Sequence, residues 1–530
     1  MFIPLTPVRC LYRAVDLYGH KTGIVSGEQR YTYAEFGRRC EQLAGGLLSE
    51  GIQPGDAVAY LSFNTHKLLE GYYGPPLIRA ISMPLNVRLT APELIEILNH
   101  SGARMLLFES DFAPLIGHFR RCCPRIERYI ALDRNGEGAD LVYEDLLSRK
   151  RIDRPDVFSF DENEIAELFY TSGSTGSPKG VALSHRSVYL HALSVLASVG
   201  FSDADIELHT IPLFHANGWG RPQTATMNGS LQVMVRRFDP AYVLQLIQSE
   251  RATQMSLVPM MAGALIMCPQ IGKYDLSSMR EIHIGGAASS PELIARVEAV
   301  FKCHVLSGYG LTETCPVAAT SRDKSTVQYE SDAQRYERKA MAGWPIIGTE
   351  VRVVDNGMHD VPRDMETIGE VIIRGDNVME EYFHESGATR AVLSDGWFHS
   401  GDMASWDNEN YIHIVDRKKD IIISGGENIS SIEVEKAIAA HPCIAECAVV
   451  AAPDEKWGEV PAAIVVLKPD SDLSETELLR FLEGRLAKFK LPKVVQFGQA
   501  PLPRTGTGKV LKRDLREPFW HGKDRRVQGI

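Results

Sequence analysis

The apolar run at 165–169 gives way at once to Tyr170-Thr171-Ser172-Gly173-Ser174-Thr175-Gly176-Ser177-Pro178-Lys179-Gly180, and no other stretch constrains the fold so tightly. An apolar run of that length bounded by turn residues reads as a buried strand. The segment from Thr171 to Gly180 has the chemistry of a loop that grips an anion: glycines let backbone amides turn inward, hydroxyls donate hydrogen bonds, and Lys179 supplies positive charge. Counted as a Walker A loop from Gly173, the segment puts Pro178 where the second glycine is required and Gly180 where Ser or Thr is required, which disfavours a P-loop NTPase. A flexible Ser/Gly linker is the bland alternative, but such a linker would not normally come after a buried strand and end in Pro-Lys-Gly.

Strand and helix signals alternate through the chain. Helical patterns lie at 33–51 and 92–100, and strands at 57–61, 104–108, 255–258 and 281–284, as expected of parallel sheets covered by helices. With 530 residues, the chain exceeds what one core usually carries, so a large domain and a smaller one are expected. Residues 321–339 are polar and charged and read as a solvated excursion. Residues 343–375 alternate as a smaller β-rich subdomain. The charge-dense Asp416-Arg417-Lys418-Lys419-Asp420 comes after a strand-like 411–415 and marks the best boundary, giving domains 1–416 and 417–530. The second is an α+β unit with helices at 432–440 and 474–489 and strands at 445–451 and 462–467.

A net charge of -11 gives no long-range pull toward nucleic acid or anionic lipid, so a polyanionic ligand must be held locally. Nine cysteines without framework spacing favour a reducing compartment. The N-terminal stretch lacks a secretory pattern, and no segment reaches about 18 uncharged apolar residues. A cytoplasmic protein without an integral membrane segment is expected.

Further motifs stand in order along the chain: Gly285-Gly286-Ala287-Ala288, Gly308-Tyr309-Gly310-Leu311-Thr312-Glu313-Thr314, Ser400-Gly401-Asp402, the 416–420 segment, and Pro503-Arg504-Thr505-Gly506-Thr507-Gly508-Lys509. With the 170–180 loop, this set resembles the adenylate-forming superfamily of acyl-CoA synthetases, luciferases and peptide-synthetase adenylation domains. The resemblance runs from residue 170 to the C-terminus. It implies an α/β fold with a large N-terminal domain of stacked mixed sheets and helices plus a β-rich subdomain, and then a small mobile α+β domain.

The resemblance also implies roles. ATP would be held by Thr171, Ser172, Gly173, Ser174, Thr175, Gly176 and Lys179 at its phosphates. Adenine would stack on Tyr309, in the turn of Gly308, Gly310 and Leu311, with the backbone of Gly286 and Ala287 close to its edge. Thr312 would bond the α-phosphate, and Asp402 and Arg417 would contact the ribose. Glu313 with Thr171 would hold Mg²⁺, a cation that usually needs only one or two protein carboxylates. Lys509 would bridge the acid carboxylate and the α-phosphate, offsetting charge that develops in the transition state. Lys419 would be the hinge about which the small domain rotates, and Gly425 and Gly426 would flank the pantetheine tunnel.

Pro212-Leu213-Phe214-His215-Ala216-Asn217-Gly218-Trp219 is similar to the acid-pocket segment of fatty acyl-CoA synthetases, with His215, Trp219 and Gly285 as pocket residues and His215 also in the catalytic group. Arg221 is a departure: a cation beside an alkyl tunnel is costly unless paired, so it either faces solvent or meets a second polar group on the substrate. The peptide-synthetase aspartate that binds an amino group is not recognisable. The expected function is an ATP-dependent, AMP-forming carboxylic acid:CoA ligase acting on a medium- or long-chain fatty acid, with ATP, CoA and Mg²⁺, and with a homodimer suggested by the resemblance. An aryl acid:CoA ligase, an adenylating enzyme that passes the acyl group to a carrier protein or other non-CoA acceptor, and a non-catalytic nucleotide-binding protein are the alternatives.

Overall fold

A computed structural model describes residues 2–134, 136–171, 178–424, 427–498, 500–504 and 510–521, with Glu427 and Asn428 as backbone only. Contacts divide the chain into two compact units, Met1–Val351 with Ile373–Phe398 and Glu409–Tyr411, and Arg352–Ile372 with His399–Asn408 and Ile412–Ile530. The second unit thus gathers residues on both sides of the 416/417 boundary.

Local chemistry sets the elements. The helix Tyr33–Ser49 starts at a capping box in which Thr32 and Glu35 bond each other's backbone N–H, satisfying two donors that a helix start leaves open. The strand Ala57–Leu61 is buried at every position, as a central parallel strand must be. The first unit holds an eight-stranded and a nine-stranded sheet, so the mixed α/β class expected from sequence is the one observed.

Six strands and one helix position the candidate site. In the eight-stranded sheet, β1 (Ile165–Thr171) pairs antiparallel with β2 (Lys179–Ser184), and Thr171 lies opposite Lys179. The Ser/Gly-rich loop therefore joins two antiparallel strands, whereas a Walker loop leads from a strand into a helix. In the nine-stranded sheet, β3 (Ile206–His209), β4 (Gln254–Leu257), β5 (Glu281–Ile284) and β6 (His304–Gly310) run parallel and side by side. The helix α1 (Arg221–Asn228) packs against β3.

Strand alternation gives these four strands two different faces. Leu208, Met255, Leu257, Ile282, Ile284 and Val305 join one apolar cluster with residues of the helices Pro240–Glu250, Pro259–Ile266 and Pro291–Phe301. The opposite face carries Glu207, His209, Gln254, Ser256, Glu281 and His283, all buried. Arg221 meets that polar face. Its guanidinium donates to Glu207 at 3.1 and 2.8 Å and to Gln254 Oε1 at 2.6 Å, and it lies over the Phe201 ring. Neither sequence alternative for Arg221 holds, because the charge is buried and its partner comes from the protein itself.

Two other expectations shift. The 321–339 stretch is not wholly solvated: it ends in the helix Asp332–Lys339, whose Lys339 is buried against Glu298 at 2.5 Å. The helix expected at 474–489 stops at Leu482, because Gly484 takes φ +78° and turns the chain away. In the second unit, the helix α2 (Ser431–Ala439), strands Ile444–Asp454 and Gly458–Leu467, and helix Glu475–Leu482 enclose their own apolar core.

Removing one partner of a buried ion pair strands the other, at about 3–5 kcal/mol. Arg221→Ala is therefore expected to lose about that much stability in urea unfolding. A loss below about 1 kcal/mol would mean that the Glu207 carboxylate is solvated after all.

Candidate functional site

β6 ends at Gly310, where an added Cβ would stand 1.7 Å from the Pro316 carbonyl oxygen. Only glycine fits so close to another backbone. The short turn Thr312–Thr314 comes next, with all three side chains buried, and Leu311 N–H donates to Thr314 Oγ1 at 3.1 Å. Glu313 is fixed twice: its carbonyl accepts from Met379 N at 2.8 Å, and its Oε1 accepts from Tyr382 OH at 2.7 Å. Tyr382 pairs with Val181 of β2, and Lys179 Nζ sits 4.7 Å from the centre of its ring, a cation–π distance. One tyrosine thus ties the loop lysine to the candidate metal-binding carboxylate. Tyr309 faces Ala319 across the sheet, with Gly308 opposite Thr320.

The acid-pocket segment is clamped at its start and twisted at its end. Asn64 donates to the His209 and Ile211 carbonyls at 3.0 and 2.9 Å and accepts from Leu213 N at 2.8 Å. Tyr72 OH donates to the Leu213 carbonyl. His215 opens the turn, accepting from Gly218 N at 3.1 Å. Ala216, Asn217, Gly218, Trp219 and Gly220 then run at φ 44°, 43°, 57°, 62° and 71°, a left-handed stretch that L residues resist. Asn217 holds it: its Oδ1 accepts from Gly220 N at 2.6 Å, and its Nδ2 donates to Glu167 of β1 at 3.3 Å. The turn delivers the Trp219 ring onto the 285–286 backbone. A Cβ on Gly285 would meet that ring at 3.2 Å and the Gly308 carbonyl at 2.9 Å.

Glu167 is fully buried, and its partners are amides: Gln223 Nε2 donates at 2.6 Å beside Asn217. Burial pushes its carboxyl up to about 8, against the smaller pull of the two amide hydrogen bonds.

β7 (Trp397–Trp406), in the second unit from His399 onward, and β8 (Ile412–Arg417), wholly within it, pair antiparallel and set Asp402 opposite Arg417. The two side chains form an ion pair at 2.7 Å, and Arg417 also donates to the Ser400 carbonyl at 3.3 Å. Asp416 accepts from the N–H and hydroxyl of Ser431 at 2.7 and 2.5 Å, which pins the start of α2 to the charge-dense segment. The Lys419 carbonyl accepts from Arg516 at 3.0 Å. Ser172, Gly173, Ser174, Thr175, Gly176, Gly425, Gly426 and Lys509 lie outside the described residues, and Asp402 and Arg417 belong to a different unit from Tyr309, Thr312 and Glu313.

Sequence reasoning missed Tyr382, Asn64 and Glu167. Tyr382 and Asn64 gave no signal, since each sits in an unremarkable stretch far along the chain from what it holds. Glu167 did give one: it is an acid inside an apolar strand, where a charge needs a reason.

No group of three or more His, Cys, Asp or Glu suited to holding a metal occurs among the described residues. Residues 11–383 match the family described as AMP-binding enzyme, and residues 433–509 match the AMP-binding enzyme C-terminal domain. The chain belongs to this family of adenylate-forming, AMP-forming acyl-CoA ligases, whose members use ATP and CoA. It is 38% identical over 517 residues to a long-chain-fatty-acid–CoA ligase of Thermus thermophilus, covering 96% of this chain and 94% of the relative. It is 37% identical over 508 residues to a feruloyl-CoA synthase of Amycolatopsis sp., covering 96% and 98%. The solved fatty acyl CoA synthetase of Mycobacterium tuberculosis superposes with a TM-score of 0.76 at 30% identity, covering 98% and 99%.

The raised Glu167 carboxyl makes a pH prediction. The folded state holds this proton up to about pH 8, and the unfolded chain releases it near an ordinary glutamate value of about 4.3. The stabilising contribution is therefore complete below the unfolded value and drains away as pH rises to about 8. Glu167→Gln is expected to gain on the natural protein in Tm as pH goes from 5 to 8. A difference that stays level across that range would show Glu167 ionised throughout.

Proposed function

We propose that this chain joins a carboxylic acid to CoA in two steps at one site. The acid's carboxylate oxygen attacks the α-phosphorus of ATP, and pyrophosphate leaves. The CoA thiol then attacks the carbonyl carbon of the acyl-adenylate, AMP leaves, and the thiol proton is lost to solvent. The observation that carries the reading is the Lys179–Tyr382–Glu313 cluster at the base of the Ser/Gly-rich hairpin, which converges a cation and a buried carboxylate on one region.

In this reading the loop with Thr171 and Lys179 holds the β- and γ-phosphates, Thr312 holds the α-phosphate, and Tyr309 stacks on adenine. Glu313 fits a magnesium ion: Tyr382 fixes one carboxylate oxygen, and the other, with the Thr171 hydroxyl, would meet the cation. When bound, that ion supplies charge neutralisation to the phosphates. Asp402, buried and oriented by Arg417, accepts from the ribose hydroxyls. Lys509 brings charge to the attacking carboxylate, and the resemblance gives Lys419 the hinge role and Gly425 and Gly426 the path of the pantetheine arm. His215, Trp219 and Gly285 bound the acid. The alkyl-chain expectation for that acid rests on the 212–219 segment, while the Thermus and Amycolatopsis relatives carry different acids in their names.

Pyrophosphate release from ATP and Mg²⁺ should depend on an acid drawn from acetate through palmitate, benzoate and cinnamate, and should turn over freely only with CoA. A single turnover in the presence of CoA would assign another acyl acceptor. Lys509→Ala should lose about 100-fold to 1,000-fold in adenylation yet largely keep thioester formation from supplied acyl-adenylate, and equal loss in both half-reactions would remove Lys509 from its role.

A further inference from the structure

Below Trp219 the polar face of the parallel strands forms three rungs. Gly285, close against the Trp219 ring, and Val258, which with that ring flanks Gly286, form the first. Two residues back along the same face come His283 and Ser256, which are register partners. Two residues further come Glu281, Gln254 and Glu207, with Arg221 across them. Successive rungs are about 6.6 Å apart, the reach of roughly five bonds of an extended aliphatic acid.

We infer that the acid accepted here is short and carries a hydrogen-bonding group at its far end, read by Ser256 and the His283–Glu281 pair, instead of a long alkyl chain. The inference rests on the reading of Trp219 and Gly285 as the mouth of the acid pocket.

Three observations support it. Ser256 Oγ is buried and has no hydrogen-bond partner among the described residues, although a buried hydroxyl normally finds one. His283 stands on an inner strand, between β4 and β6, yet 11% of its side chain stays open to solvent, so space adjoins the second rung. The third rung is charged and polar: Arg221 is bidentate on Glu207 and bonded to Gln254 Oε1, Gln254 Nε2 is buried without a partner among the described residues, and an alkyl end pressed there would strip this cluster of polar contacts for nothing in return.

The chemistry of the second rung suits a hydroxyl. His283 Nε2 lies 2.8 Å from Glu281 Oε1. Burial works to raise the Glu281 carboxyl, but the hydrogen bond and charge of His283, with Arg221 and Arg280, hold it below its ordinary value. With Nε2 engaged by this carboxylate, Nδ1 is the ring nitrogen left to meet a ligand hydroxyl, which can both donate and accept, and the Ser256 hydroxyl can likewise do either.

Matched acids test this in the whole enzyme. 4-Hydroxybutyrate against pentanoate, and 4-hydroxybenzoate against 4-methylbenzoate, exchange a hydroxyl for a methyl at the level of the second rung, with palmitate as the long chain. In at least one pair the hydroxyl acid should be preferred in kcat/KM by about 10-fold or more, and palmitate should be the poorest substrate. Ser256→Ala should bring that ratio toward one while leaving Tm unchanged or higher, since it deletes an unpartnered buried hydroxyl. Preference for the methyl acids or palmitate would overturn the inference and leave the ligase standing. An undiminished ratio in Ser256→Ala would overturn the role of Ser256, and the absence of pyrophosphate release with every acid would overturn the ligase reading itself.

Discussion

Five successive residues at positive φ, from Ala216 to Gly220, form the constraint on which the acid side of the site depends. Each non-glycine residue there costs of order 1–3 kcal/mol, so the turn persists only because its surroundings over-determine it. Asn217 closes it from within, Glu167 and Gln223 brace it from below, and Asn64 and Tyr72 fix the chain leading in. The product is one placement of Trp219 against the 285–286 backbone and one placement of Arg221 against Glu207.

That turn sits on a sheet whose two faces obey different rules. One is an ordinary apolar core, and the other buries acids, histidines and glutamines that must satisfy one another. Polar groups in such a place are expensive unless paired, so their arrangement is specific: Arg221 with Glu207 and Gln254, His209 with Gln232, His283 with Glu281. A ligand entering this layer meets fixed hydrogen-bond donors and acceptors with little freedom to rearrange, which is how a pocket rejects acids that lack the matching group.

Much of the fold is legible in the sequence because its signals are local. Capped helices such as Tyr33–Ser49 and fully apolar strands such as Ala57–Leu61 carry their periodicity and end signals in a few neighbouring residues. The motifs of the candidate site are legible for a related reason: glycine at 285 and 310 answers a backbone approach that no other residue permits. The misreadings have a physical pattern as well. Lys339 looked solvated, and Arg221 looked either solvated or substrate-facing, because each finds its partner far away in sequence, at Glu298 and Glu207 respectively.

The sequence by itself determined the class of protein, the order of the motifs and the kinds of atoms that would meet a nucleotide, since these depend on residue type and short spacing. Tertiary structure alone decided that Tyr382 joins Lys179 to Glu313, that Glu167 braces the acid turn, and that a polar floor with an ion pair lies beneath Trp219. These are pairings between residues 14 to 203 positions apart, set by which strands lie side by side. Charge and polarity have no local periodicity to announce their partners, so only the packed sheet reveals which buried groups satisfy one another and which are left to recognise a substrate.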